Sequence, residues 1–166
     1  MQTLDALQDA RRRHPTELPA GSAEEREALP RFAAFFSSFA PDRIERLLAT
    51  TYAPDVWFND TLKTLRGSEA LAHYLKESAA AVEACRVEIE DTVRNNHGEF
   101  YVRWKMMIRF NRFKRGIDTW TVGMSHLRFG ADGRVVYHQD YWNAADGLYE
   151  HIPLLGGLIR AIKRRL

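Results

Sequence analysis

The chain has 166 residues, of which 45% are apolar and 28% charged, the make-up of one globular domain large enough to bury its own core. A net charge of +2 is too small to point to nucleic acid, and the lone Cys85 leaves no internal disulfide and no Cys-rich zinc site. Met1-Gln2-Thr3 opens a polar segment without a signal peptide's apolar stretch, and no apolar run reaches the roughly 18 residues that span a bilayer; a cytoplasmic location is expected.

Residues 1–21 carry the basic run Arg11-Arg12-Arg13 and prolines at 15 and 19. They read as a flexible, solvated N-terminal arm with at most a short helix around Leu4 and Leu7. Ser22 with Glu25 is a capping-box pattern, and Leu29, Phe32, Phe35, Phe36 and Phe39 follow at helical spacing, predicting a helix over 23–39. Pro41 breaks it. Asp42 and Glu45 repeat the capping pattern for a second helix to about Thr51, with Ile44, Leu47 and Leu48 inward. Tyr52-Ala53-Pro54-Asp55 reads as a turn and Val56–Asp60 as a strand with Val56, Phe58 and Asp60 on one face. Ser68 is the expected N-cap of a third helix lined by Leu71, Tyr74, Leu75, Ala79 and Val82.

From Arg86 the period becomes two. Val87, Ile89 and Val93 alternate with polar residues up to the Asn95–Gly98 turn. Phe100 to Phe110 alternates most cleanly. Trp104 and Met106 share its apolar face, while Tyr101, Arg103, Lys105, Met107 and Arg109 face outward. After a polar loop over 111–116, a strand from Asp118 to Phe129 shows an apolar phase that slips between Met124 and Leu127, which predicts a β-bulge.

The Asp132-Gly133 turn leads into Val135–Trp142. Val136, His138, Asp140 and Trp142 share one face, the pattern of an apolar pocket with one polar corner. The same pattern also fits a half-buried strand whose histidine and aspartate satisfy each other. His126 is expected at the surface. Residues 144–166 form an apolar and basic C-terminal helix, with Leu148, Ile152, Leu155, Ile159 and Ile162 at helical spacing. It suits a cap on the pocket, a contact with a second subunit, or a peripheral contact with an acidic membrane surface.

Helices first, then consecutive strands, then a tail helix predict an α+β domain over 22–143, flanked by the arm and the tail. The order, with Tyr52-Ala53-Pro54-Asp55-Val56, Gly67-Ser68-Glu69-Ala70-Leu71, His126–Phe129, Asp132–Val136 and His138–Asn143, resembles the nuclear-transport-factor-2-like superfamily, in its SnoaL-like and ketosteroid-isomerase-like branch. The resemblance implies a cone: a curved, mostly antiparallel mixed sheet wrapped round three helices. It places Asp60 where ketosteroid isomerases keep their base, but Phe36 and Ser125 where their oxyanion-hole tyrosine and aspartate stand. Against limonene-epoxide-hydrolase-like proteins, Asp140 and Asn59 match, whereas Trp57 and Lys105 replace a tyrosine and an aspartate. Neither mechanism carries over whole.

The expected activity is binding of a small apolar molecule, with Asp60 as base and His138 with Asp140 as proton relay in a cofactor-free isomerase, cyclase or dehydratase. The alternative is a non-catalytic ligand-binding or dimeric interaction protein. The expected pocket lining is Phe36, Trp57, Phe58, Tyr74, Trp104, Met106, Trp120, Ser125 and Trp142. No metal site is expected, because His126, His138 and His151 lack ligand spacing. A homodimer is expected through the outward sheet face carrying Tyr101, Met107, Tyr137 and Tyr141.

Overall fold

The computed structural model describes residues 3–112, 116–152 and 155–165. Three helices precede the first strand: α1 (Thr3–Arg13), α2 (Ala23–Phe36) and α3 (Pro41–Thr51). Strands β1 (Tyr52–Asn59) and β2 (Thr64–Arg66) lead to α4 (Ser68–Ala80). Then come β3 (Val82–Arg94), β4 (Phe100–Phe110), β5 (Thr119–Phe129) and β6 (Val135–Trp142). The tail holds the short α5 (Ala144–Gly147), a 3₁₀ turn (Tyr149–His151) and α6 (Leu155–Lys163).

The six strands form one sheet in the order β2-β1-β6-β5-β4-β3. Neighbours are antiparallel except β1 and β6, which run parallel with Phe58 opposite His138 and Asn59 opposite Gln139. The curved sheet holds α2, α3 and α4 on its inner face, an α+β architecture. Phe32, Phe35, Ile44, Leu48, Leu71 and Leu75 meet Phe58, Val102, Leu127 and Phe129 there, all buried. Each such side chain contributes roughly 1.5–3 kcal/mol of transfer free energy.

Local chemistry explains most boundaries. The Ser22 hydroxyl accepts from the Glu25 amide at 3.1 Å as expected, but the Glu25 carboxylate accepts from the Gly21 amide rather than from that of Ser22, so half of the capping box forms. Its counterpart at Asp42 does not. Ala40 is the cap of α3, without a side-chain bond, and Pro41 in the first turn needs no donor there. Gly67, at φ 85°, rather than Ser68, precedes α4, since the chain leaves β2 in a conformation glycine adopts freely. Tyr52–Asp55 is not a turn but the start of β1, and the short hairpin strand β2 follows where only a break was expected.

The expected slip in β5 is absent. β4 and β5 pair without interruption from Phe100–Leu127 to Ile108–Thr119. Thr119, Thr121 and Ser125 are buried, while Trp120, Val122 and Met124 are exposed. Over that stretch the small, polar residues face inward and the apolar ones outward, which inverts the usual pattern. The real irregularity lies one strand on, between Arg128 and Phe129 against β6, so Val135 rather than Val136 joins the inner core.

The expected loose arm is largely helical and packed. In α1, Ala6 and Ala10 are fully buried over Trp57 and Tyr137, whose rings stack 4.9 Å apart on the outer sheet face. Alanine at both contacts lets the helix backbone approach the sheet closely. Arg11 grips the buried Glu99 through two nitrogens, at 2.7 and 2.9 Å. The same roof buries His126, expected at the surface, which bonds Glu99 at 2.9 Å.

Candidate functional site

A cavity of about 630 Å³ lies between the inner sheet face, α2, α4 and the tail, within the size range of small-molecule sites. Of the inward small residues of β5, Ser125 lines it. Phe36 of α2, Tyr74 of α4, Phe58, Trp104, Met106, Ser125 and Trp142 all line it, as do Asp60, His138 and Asp140. Leu148 and Ile152 of the tail complete one side.

Two expected lining residues stand elsewhere. Trp57 alternates away from Phe58 and is sealed under α1 against Tyr137. Trp120 is on the outer face, 46% exposed, with Arg86 and Lys105 each 5.5 Å from its ring. Aromatic size suggested the pocket for both; strand parity sends both outward.

The polar corner is built on β6 and its two neighbours. His138 is 1% exposed, with the rings of Phe32, Phe36 and Phe58 about it at 5.5, 6.1 and 4.9 Å. Both its nitrogens are engaged: Nδ1 with the Tyr52 hydroxyl at 2.8 Å and Nε2 with Asp140 Oδ1 at 2.7 Å. Burial, then the nearby Asp140 charge, raises the Tyr52 pKa well above its ordinary value. A carboxylate only accepts, so Nε2 carries the hydrogen of the Asp140 bond, and in the neutral imidazole Nδ1 then accepts from the Tyr52 hydroxyl, which keeps its proton.

A second chain reaches the same oxygen. Trp104 Nε1, which can only donate, bonds Ser125 Oγ at 2.9 Å. Ser125 passes its own hydrogen to Asp140 Oδ1 at 2.5 Å. Gly123 sits opposite Trp104 across the strands, and a Cβ there would collide with the indole; glycine lets the ring lie where its N–H finds Ser125. Asp140 Oδ1 thus receives two hydrogen bonds. Among the described residues Oδ2 receives none, although the side chain is only 15% exposed.

Asp60 has the opposite arrangement. Its Oδ1 accepts from the amides of Leu62 and Lys63 at 3.0 and 2.8 Å, closing a turn in which Thr61 holds φ at 72°. Its Oδ2 accepts from the Tyr74 hydroxyl at 2.5 Å. Burial, followed by that bond, pushes the Tyr74 pKa above its ordinary value, so Tyr74 stays the donor. Trp142 Nε1 bonds the Asp60 carbonyl at 2.7 Å and ties the turn to β6.

The structure therefore brings Asp60, His138 and Asp140 to one cavity but separates their circumstances. Tyr52, absent from the sequence-predicted site, belongs to it. Alternation does not point to it, because β1 is irregular between Tyr52 and Trp57 and Pro54 is exposed. Cys85 also lines the cavity, its thiol pushed up to about 12 by burial. Among the described residues, no three histidine, cysteine, aspartate or glutamate side chains gather as metal ligands, and no helix is long and apolar enough to cross a membrane.

No curated protein matches the sequence. Solved structures match the fold. A hypothetical protein with a ketosteroid isomerase-like fold from Catenulispora acidiphila, in complex with trimethylamine, is 18% identical, covers 74% of this chain and 89% of its own, and has a TM-score of 0.62. An LEH-like epoxide hydrolase of M. tuberculosis is 14% identical over 86% of this chain and 98% of its own, at 0.60. TsrD from Streptomyces laurentii is 18% identical over 84% and 100%, at 0.61. At these identities the likeness establishes the fold alone. The model of the SnoaL-like domain matches residues 18–138, most of the chain, and the protein belongs to that family.

Proposed function

We propose that the protein binds a small apolar molecule in its cavity and moves a proton on it, with the Asp140 carboxylate as base. The observation that carries this reading is that both hydrogen-bond chains end on Oδ1 while Oδ2 is left for the cavity. His138 and Ser125 hold the carboxylate in place, and Tyr52 and Trp104 hold them. His138, with both nitrogens engaged, acts as a positioning residue. When Oδ2 takes a proton from substrate, Oδ1 keeps both donors. The same carboxyl then returns the proton: to another carbon for isomerisation, to a departing hydroxyl that leaves as water, or to the carbonyl oxygen of the substrate when the carbanion closes a ring on that carbonyl. Such steps need no redox or group-carrying cofactor. Asp60 fits the base role less well: Oδ1 is filled by two amides and Oδ2 by Tyr74.

One observation favours a second reading, binding without turnover. The described donors best placed for a developing oxyanion are spent: Trp104 on Ser125, Trp142 on the Asp60 carbonyl, and Tyr74 on Asp60.

A base-sensitive probe separates the readings. 5-Nitrobenzisoxazole opens when a base removes its carbon-bound proton and the N–O bond breaks, giving a coloured phenolate. The wild type should open it faster than free acetate does. Asp140→Asn should lose about 10²–10⁴-fold, and Asp60→Asn far less. A wild-type rate no higher than that of Asp140→Asn leaves the binding reading. Loss in Asp60→Asn alone returns the base role to Asp60.

A further inference from the structure

The end of the tail presents a face that the cavity does not use. Helix α6 is fastened to the 3₁₀ turn by one side. Gly156 lies so close to the Glu150 carbonyl that a Cβ would collide, Arg160 Nη1 donates to the same carbonyl at 3.0 Å, and Lys163 pairs with the Glu150 carboxylate at 2.6 Å. These positions, four and three apart, form one side of the helix. Leu155, Leu158 and Ile162, also at spacings of three and four, form another, and it is uncovered: they are 38, 59 and 51% exposed. Arg164 and Arg165 follow at once, both exposed and, among the described residues, without an ion pair.

We propose that this face docks on an anionic lipid surface, with Leu155, Leu158 and Ile162 entering the interface and Arg164 and Arg165 meeting lipid phosphates. Nine residues are far too few to span a bilayer, so the helix lies in the interfacial plane. The charge pattern decides the occupant. Arg164 and Arg165, exposed at the end of the apolar face and without an ion pair among the described residues, are complemented by an anionic bilayer. Leu148 and Ile152, which flank the 3₁₀ turn that α6 packs on, line the cavity. The docking does not depend on whether Asp140 is a base.

The test is co-sedimentation with vesicles of phosphatidylcholine, with and without about 30% phosphatidylglycerol. The wild type should bind the anionic vesicles, bind neutral ones at least about tenfold more weakly, and release at about 0.5 M NaCl. Leu158→Glu and the pair Arg164→Glu with Arg165→Glu should each weaken partition at least about tenfold. All these side chains are exposed, and unchanged circular dichroism and probe opening would show that folding is intact. Reversing Arg12 and Arg46, exposed elsewhere, should leave binding in place. The proposal falls if the wild type stays in the supernatant, if both tail variants bind as it does, or if the Arg12 and Arg46 variant loses as much. It also falls if light scattering shows that Leu158→Glu dissolves a dimer while the wild type ignores vesicles.

Discussion

The two faces of one sheet each carry a buried histidine–carboxylate pair. On the outer face His126 meets Glu99; on the inner face, one strand over, His138 meets Asp140. Glu99 is fully buried and saturated, with bonds from Arg11, His126 and Asn95 and with Arg128 3.6 Å away. Burial alone would raise its pKa; the bonds from His126, Arg11 and Asn95 outweigh burial and hold it well below the usual carboxylate range. Asp140 has one satisfied oxygen and one left over, beside a cavity. Residue type does not separate a lock from a site. The number of donors does, and so does what covers the pair: a helix in one case, empty volume in the other.

The largest expected effect tests the lock. Glu99→Ala strands Arg128 and His126 in the sheet and should cost about 3–5 kcal/mol in urea unfolding, with probe opening per folded molecule unchanged. A loss below about 1 kcal/mol would erase the distinction between the pairs. The pH dependence has a definite sign. Because the folded Glu99 carboxyl titrates below its ordinary value of 4.5, its stabilisation is complete above that pH. It is lost as the pH falls through the folded value. Wild-type melting temperature should drop on acidification below 4.5, and the profile of Glu99→Gln should be flatter there.

Tyr52→Phe probes the inner pair more gently. It leaves Nδ1 of the buried His138 without its partner, for about 1–3 kcal/mol of stability. It should slow probe opening less than Asp140→Asn, since Oδ1 keeps the Ser125 bond. An unchanged rate and stability would detach Tyr52 from the site.

The outer face also bears on assembly. α1 has taken Tyr137, and Met107 is buried, so of the face expected to form a homodimer Tyr141 is exposed, and we propose that a dimer would use it with the exposed Trp120, Val122 and Met124. Val122→Glu should weaken self-association at least about tenfold by light scattering; a wild-type monomer at micromolar concentration ends the proposal. The smallest effect is expected at Arg13→Ala. Arg13 bonds Asp55, but both side chains are partly exposed, and the pair should be worth less than about 1 kcal/mol.

Much of this was legible in the sequence. Alternation in Phe100–Phe110 and Val135–Trp142 put Trp104, Met106, His138 and Asp140 on cavity-facing positions. The family resemblance pointed to a curved sheet round helices. The α1 contacts were not legible, because Ala6 and Ala10 carry too little apolar surface to mark a buried face, and their partners Trp57 and Tyr137 lie far along the chain. Trp120, Val122 and Met124 misled because their apolar character outweighed parity, suggesting a slip where the strand runs straight. The competition between Asp60 and Asp140 was also hidden, since it depends on two amides, a tyrosine and a serine whose placement only the folded chain decides.

The parallel pairing of β1 with β6 predicts an order of events during folding. β3, β4, β5 and β6 join neighbour to neighbour through short connections, and such hairpins close within microseconds. β1 must find a strand 80 positions away, as the bond between Gln139 and Asn59 shows. Closing that loop is entropically unfavourable until its other contacts exist. Tyr52 reaches His138 only when this step is complete. A chain that has finished its hairpins but not this junction holds most of its sheet, yet lacks the hydroxyl that orients the imidazole behind Asp140.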